Sequence, residues 1–103
     1  MDKYMIAYHG GSQPASQEEG MAMMQKWKDW VASLGEQVVN PGTPLPSTKV
    51  VTASGVADDT DKNTINGFAV VLADSMDEAV KIAQSDPFLQ SGGTIRVHQM
   101  MEM

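Results

Sequence analysis

With 103 residues, 42% of them hydrophobic, the chain has the size of one domain, 1–103, built on a single modest core. The absence of cysteine excludes a disulfide scaffold and a thiolate metal site. A net charge of −6, with seven basic residues scattered along the chain, disfavours nucleic acid and anionic membrane surfaces, which are held by Lys and Arg.

Met1-Asp2-Lys3-Tyr4 runs straight into a strand without a signal-like stretch, and no apolar run approaches the roughly 20 residues of a membrane span. The expectation is a soluble, cytoplasmic protein whose partner is a small molecule or another protein. Lys3 to His9 reads as the first strand, broken by Gly10-Gly11 and Pro14. Ser16-Gln17-Glu18-Glu19 is a capping box, in which the serine oxygen accepts from the amide three residues on and the glutamate reaches back. It predicts a helix to about Leu34, with Gly35 as a left-handed cap. At 100° per residue, Met23, Met24, Trp27, Trp30, Val31 and Leu34 fall in one stripe roughly 120° wide, and the opposite face is polar.

Glu36 to Asn40 reads as a short strand stopped by Pro41-Gly42, after which Pro44 and Pro46 keep the chain extended. Lys49 to Ser54 reads as another short strand, and Val56 to Asn66 as a polar turn region. Gly67 to Ala73 is a buried strand. Ser75-Met76-Asp77-Glu78 repeats the capping box and opens a helix that must stop before Asp86-Pro87, because a residue preceding proline avoids the α region. Thr94 to Met100 is the last strand, half polar as an edge strand should be. The order is β-α-β-β-α-β, with the second strand interrupted: an α+β ferredoxin-like domain with an antiparallel sheet. In Lys3–His9 and Gly67–Ala73 both faces are largely apolar, yet two helices cover one face of a four-stranded sheet. The same surface of a second copy is the simplest cover, so a homodimer joined face to face is expected.

The chain resembles the YCII-related family along nearly its whole length. The resemblance lies in Lys3-Tyr4-Met5, His9-Gly10-Gly11, Trp27-x-x-Trp30, Leu34-Gly35, Asn40-Pro41-Gly42-x-Pro44-Leu45, Gly67-Phe68, Ala73-Asp74-Ser75, Glu78-Ala79, Pro87 and Gly92-Gly93. The branch with paired tryptophans on the first helix is the most similar. The resemblance implies a dimeric α+β barrel with strand order 4-1-3-2. Most members have no established reaction, and a few relatives act on small cyclic acids or chlorinated aromatics as lyases or dehalogenases. Relatives that carry a histidine on the first helix would place it near Met24 here, where methionine transfers no proton.

That strand order sets the end of strand one beside the start of strand four, gathering His9, Gly10, Gly11, Gly92 and Gly93 at one edge, with Asp86 nearby. His9 as general base with Asp86 as its partner is the first catalytic candidate. The plainer reading is a strand-end histidine and an aspartate that supports a turn. A cavity between the first helix and the sheet, lined by Tyr8, Met24 and Trp27, is the second candidate, although core packing also accounts for the tryptophans and methionines. His98 reads as a surface or dimer-rim residue, and two distant histidines make a poor metal site. Asp59-Thr60-Asp61-Lys62-Asn63 fails as a calcium loop, since Thr64 stands where glycine is needed and Val70 where a bidentate glutamate is. Phosphate loops, nucleophile elbows and dinucleotide fingerprints are missing, so neither cofactor nor metal is expected. The reading is a small-molecule-binding dimer, with a lyase, isomerase or dehalogenase type of reaction by His9, or alternatively a non-catalytic regulatory or sensing module.

Overall fold

A computed structural model describes residues 1–102. In chain order the elements are strand β1 (Asp2–His9), helix α1 (Gln17–Leu34), strands β2 (Val38–Pro44), β3 (Lys49–Thr52), β4 (Gly55–Asp58) and β5 (Ile65–Ala73), helix α2 (Met76–Gln84) and strand β6 (Thr94–Met100). Short 3-10 turns follow each helix, at Gly35–Gln37 and Pro87–Ser91. The main sheet has the order β2-β5-β1-β6 with every pairing antiparallel, which is the expected 4-1-3-2.

Both helices start where the capping boxes put them. Ser16 Oγ accepts from the Glu19 amide at 3.1 Å and Ser75 Oγ from the Glu78 amide at 3.2 Å. In each case the glutamate reaches one residue further back than the usual box, to the Ala15 and Asp74 amides. Gly35 takes φ 55° with ψ −123°, outside the left-handed helical well, and feeds a 3-10 turn.

Two further expectations fail. Pro41-Gly42 does not stop the second strand, which runs on to Pro44 with irregular register between Val38, Asn40 and Thr43. An edge strand tolerates proline because its amide need not enter a ladder, and Asn40 Oδ1 holds the resulting bulge by accepting from the Gly42 amide at 2.9 Å. Nor is the stretch after Ser54 a polar turn: Gly55–Asp58 pairs with Lys49–Thr52 as a separate hairpin, tied at its base by a Lys49–Asp58 ion pair. Val50, Val51 and Val56 on that hairpin are exposed.

Strand alternation sorts the core. Tyr4, Ile6, Ala69, Val71 and Ala73 face the helices and pack with Trp30, Ala79, Ile82 and Ala83. Met5, Ala7, Phe68, Val70 and Leu72 occupy the opposite face, bordered along β6 by Arg96 and His98. The molecule is only 17 Å thick against 45 and 42 Å in the other directions, as one sheet with helices on one side must be.

Candidate functional site

The two ends of α1 meet the sheet differently. Near the C-terminal end Trp30 is buried, and its Nε1–H donates to Ser85 Oγ at 2.8 Å. Ser85 Oγ in turn donates to the Ile82 carbonyl at 2.7 Å, which fastens α1 to the close of α2. One turn earlier Trp27 is only half buried, and Met24 is 52% exposed. Here the helix stands off the sheet, and the bulge of β2 brings Gly42, Thr43 and Pro44 opposite Trp27. The gap is a cavity of about 520 Å³, with walls that include Met23, Met24, Trp27 and Phe88, and with Tyr8 and Asp86 on its lining.

Asp86 supplies the polar end. The residue before Pro87 adopts φ −72° and ψ 125°, as proline demands, and closes α2 by bonding its amide to the Ala83 carbonyl. Its side chain turns inward and is only 3% exposed. One carboxylate oxygen accepts from the Tyr8 hydroxyl at 2.5 Å, and the other from the Phe88 amide at 2.9 Å. Burial raises the pKa of Asp86, opposed by these two hydrogen bonds, which favour the charged form. Tyr8 is pushed far above the ordinary phenol value, first by burial and then by its bond to Asp86, so it remains a neutral donor. The arrangement is a desolvated carboxylate, more basic than usual, aimed by a phenol at the end of an apolar cavity.

Phe88 steadies the phenol, with ring centroids 4.8 Å apart and planes inclined by 56°. The glycine edge makes room for it. A Cβ on Gly93 would come within 2.5 Å of the Phe88 ring and 2.8 Å of the His9 carbonyl oxygen, and one on Gly11 within 3.3 Å of the same ring.

His9 does not join Asp86. Tyr8 and His9 are neighbours on β1 and so face opposite sides of the sheet. The phenol points toward the helices and Asp86, whereas the His9 Nδ1 lies 2.8 Å from the Asn63 carbonyl on the far side. A carbonyl only accepts, so Nδ1 is the donor of this bond, and the buried Nε2 has no hydrogen-bond partner among the described residues. The expected pairing of His9 with Asp86 is therefore not made, and Asp86 is bonded to Tyr8 instead. Gly10, Gly11 and Gly92 likewise do not line the cavity, while Tyr8, Met24 and Trp27 do. Phe88 and the Tyr8–Asp86 bond went unanticipated. The signal was present: Tyr8 shares its parity with Tyr4 and Ile6, which face the helices. Among the described residues no cluster of three or more His, Cys, Asp or Glu could hold a metal, and no helix is long and apolar enough to cross a membrane.

Comparison with known proteins agrees with this architecture. The YCII-related domain model matches residues 3–103. Among solved structures, 5-chloro-2-hydroxyhydroquinone dehydrochlorinase from Burkholderia phenoliruptrix AC1100, in complex with 2,5-dihydroxybenzoquinone, superposes with a TM-score of 0.58 at 20% identity. The match covers 98% of this chain and 95% of that one. At that identity the likeness speaks for the fold. No curated protein matches the sequence. The chain belongs to the YCII-related family.

Proposed function

We propose that this YCII-related protein binds a compact, largely apolar ring in the cavity between α1 and the sheet, and that Asp86 accepts a proton from it. The observation that carries this reading is the Tyr8–Asp86 bond: a buried carboxylate, its pKa raised by desolvation, stands at the polar end of an otherwise apolar chamber. Apolar walls with a few convergent polar groups and a perturbed titratable residue are the usual signature of a ligand site, and about 520 Å³ lies within the usual size range. A carboxylate of raised basicity suits an isomerisation or elimination. It takes a proton from the ring substituent, and the electron pair left behind moves into the ring. The proton then returns at another carbon, or a leaving group departs with its bonding pair. Tyr8 orients Asp86 and is not itself the base.

The dimer belongs to the same reading. Met5, Phe68 and Leu72 are half buried on the sheet face away from both helices, and a second copy of this face supplies complementary apolar cover. Light scattering at micromolar concentration should give the mass of a dimer, and Phe68→Asp should give that of a monomer.

The functional test follows the indole Nε1 signals in NMR while a library of small neutral rings is added. Trp27 lines the cavity and Trp30 does not, so ligands should move the first signal and spare the second. Asp86→Asn should weaken binding while leaving the fold intact. Deuterium uptake from heavy water into a bound ring would show proton transfer, whereas binding without uptake or turnover would point to a sensing module. Shifts scattered over the surface and indifferent to Asp86→Asn would refute the site.

A further inference from the structure

Resting on that reading, we infer that the cavity selects neutral rings that donate a hydrogen bond, of the phenol type, and rejects ring carboxylates. The polar groups on its lining are mostly acceptors, and its side-chain donors are neutral. Both Asp86 oxygens are acceptors, and the Tyr8 hydroxyl has given its only hydrogen to Asp86, so toward a ligand it also offers only a lone pair. Thr43 exchanges hydrogen bonds with Asn40, accepting at 3.1 Å and donating at 3.4 Å. Asn66 donates to the Gly10 carbonyl at 2.8 Å and leaves one amide N–H and its oxygen at the rim. That amide N–H and the Trp27 indole N–H are both neutral donors, and neither supplies the charge that would compensate an anion.

Charge points the same way. Among the described residues no lysine, arginine or histidine lines the cavity. Lys26, on the same helix as Met24 and Trp27, bonds to Gln90 at 3.0 Å outside it. His9 is turned to the other face of the sheet. A carboxylate entering this chamber would be desolvated beside the buried Asp86 carboxylate with no cation to offset it, which is the costly arrangement of two like charges. A hydroxyl entering the same place makes a charge-assisted hydrogen bond. The walls accept a flat ring on either hand, against the Trp27 indole and the Met24 thioether.

Three probes of one shape test this on the wild-type chain: 4-methylphenol, 4-methylanisole, which keeps the ring and oxygen but loses the donor, and 4-methylbenzoate, which is an anion. The Trp27 indole signal reports occupancy, with Trp30 as internal reference. The phenol should bind on the order of tenfold more tightly than the anisole, the benefit expected of one hydrogen bond to a carboxylate, and the benzoate more weakly than both. In Asp86→Asn the advantage of the phenol over the anisole should shrink toward parity, and the benzoate should gain. Equal binding of phenol and anisole, or benzoate binding as tightly as the phenol, overturns the selectivity while leaving the cavity a ligand site. No response of Trp27 to any probe at millimolar concentration overturns the site itself, and the selectivity with it.

Discussion

Trp27 and Trp30 sit one turn apart on the same face of α1, yet one end of that helix is structure and the other is site. At Trp30 the helix is clamped: the indole is buried against Ile82 and Ala83 and tied to Ser85. At Trp27 the helix is held off the sheet by the bulged β2 strand, and the space left over is the cavity. An amphipathic stripe specifies that a face is covered, but not how closely. The clamp and the gap also depend on each other, because Ser85 precedes Asp86, so the contact that anchors the helix also fixes the turn that presents the carboxylate.

The widest contrast should come from deleting each indole. Trp30→Ala should cost about 3–5 kcal/mol in urea unfolding, the range for emptying a core aromatic, and loosen the turn at Asp86. Trp27→Ala should cost clearly less, since its ring is half exposed, while abolishing ring binding. If both cost the same, the two ends of α1 are not different in kind. Gly93→Ala comes next: its Cβ would strike both the Phe88 ring and a backbone oxygen, so about 1–3 kcal/mol is expected, together with displacement of Tyr8.

A finer test compares Tyr8 with His9. Tyr8→Phe removes a bond that favours the charged Asp86, so the Asp86 pKa should rise further and binding of a donor ring should weaken, at a stability cost of about 1 kcal/mol. His9→Phe should cost a similar amount through the lost bond to Asn63, yet leave ring binding unchanged. The reverse pattern would restore His9 to the site.

The smallest effect is in pH dependence. Asp86 has a folded pKa above its unfolded value, so its contribution to stability is fully present below the unfolded pKa and is lost as pH rises through the folded one. Asp86→Asn carries no such loss. The variant should match the wild type in acid and equal or exceed it in thermal stability at neutral pH, with the gap opening as pH rises. A variant less stable at neutral pH would mean that the buried carboxylate is structural.

What was legible in the sequence was whatever is local or periodic. Ser16 and Ser75 announce their helices because a cap is decided within four residues, and the six elements that build the main layer follow from apolar period and breakers. The hairpin arm was missed because Val56-Ala57-Asp58 is too short to show alternation. The continuation of β2 was missed because Pro41-Gly42 breaks most strands, and only its edge position and the Asn40 side chain permit it to go on. At the site, Tyr8, Met24 and Trp27 were legible as cavity wall from the helix stripe and the parity of β1. The His9–Asp86 pairing failed on that same parity: closeness along a sheet edge does not carry a side chain through the sheet.

The most direct test of the Tyr8–Asp86 site is a carbon-13 NMR titration of the Asp86 side-chain carboxyl, free and saturated with 4-methylphenol. The site described here predicts a midpoint above that of an ordinary aspartate in the free protein, lowered by the phenol because a donated hydrogen bond favours the charged form. A midpoint at the ordinary value, unmoved by the ligand, would contradict it.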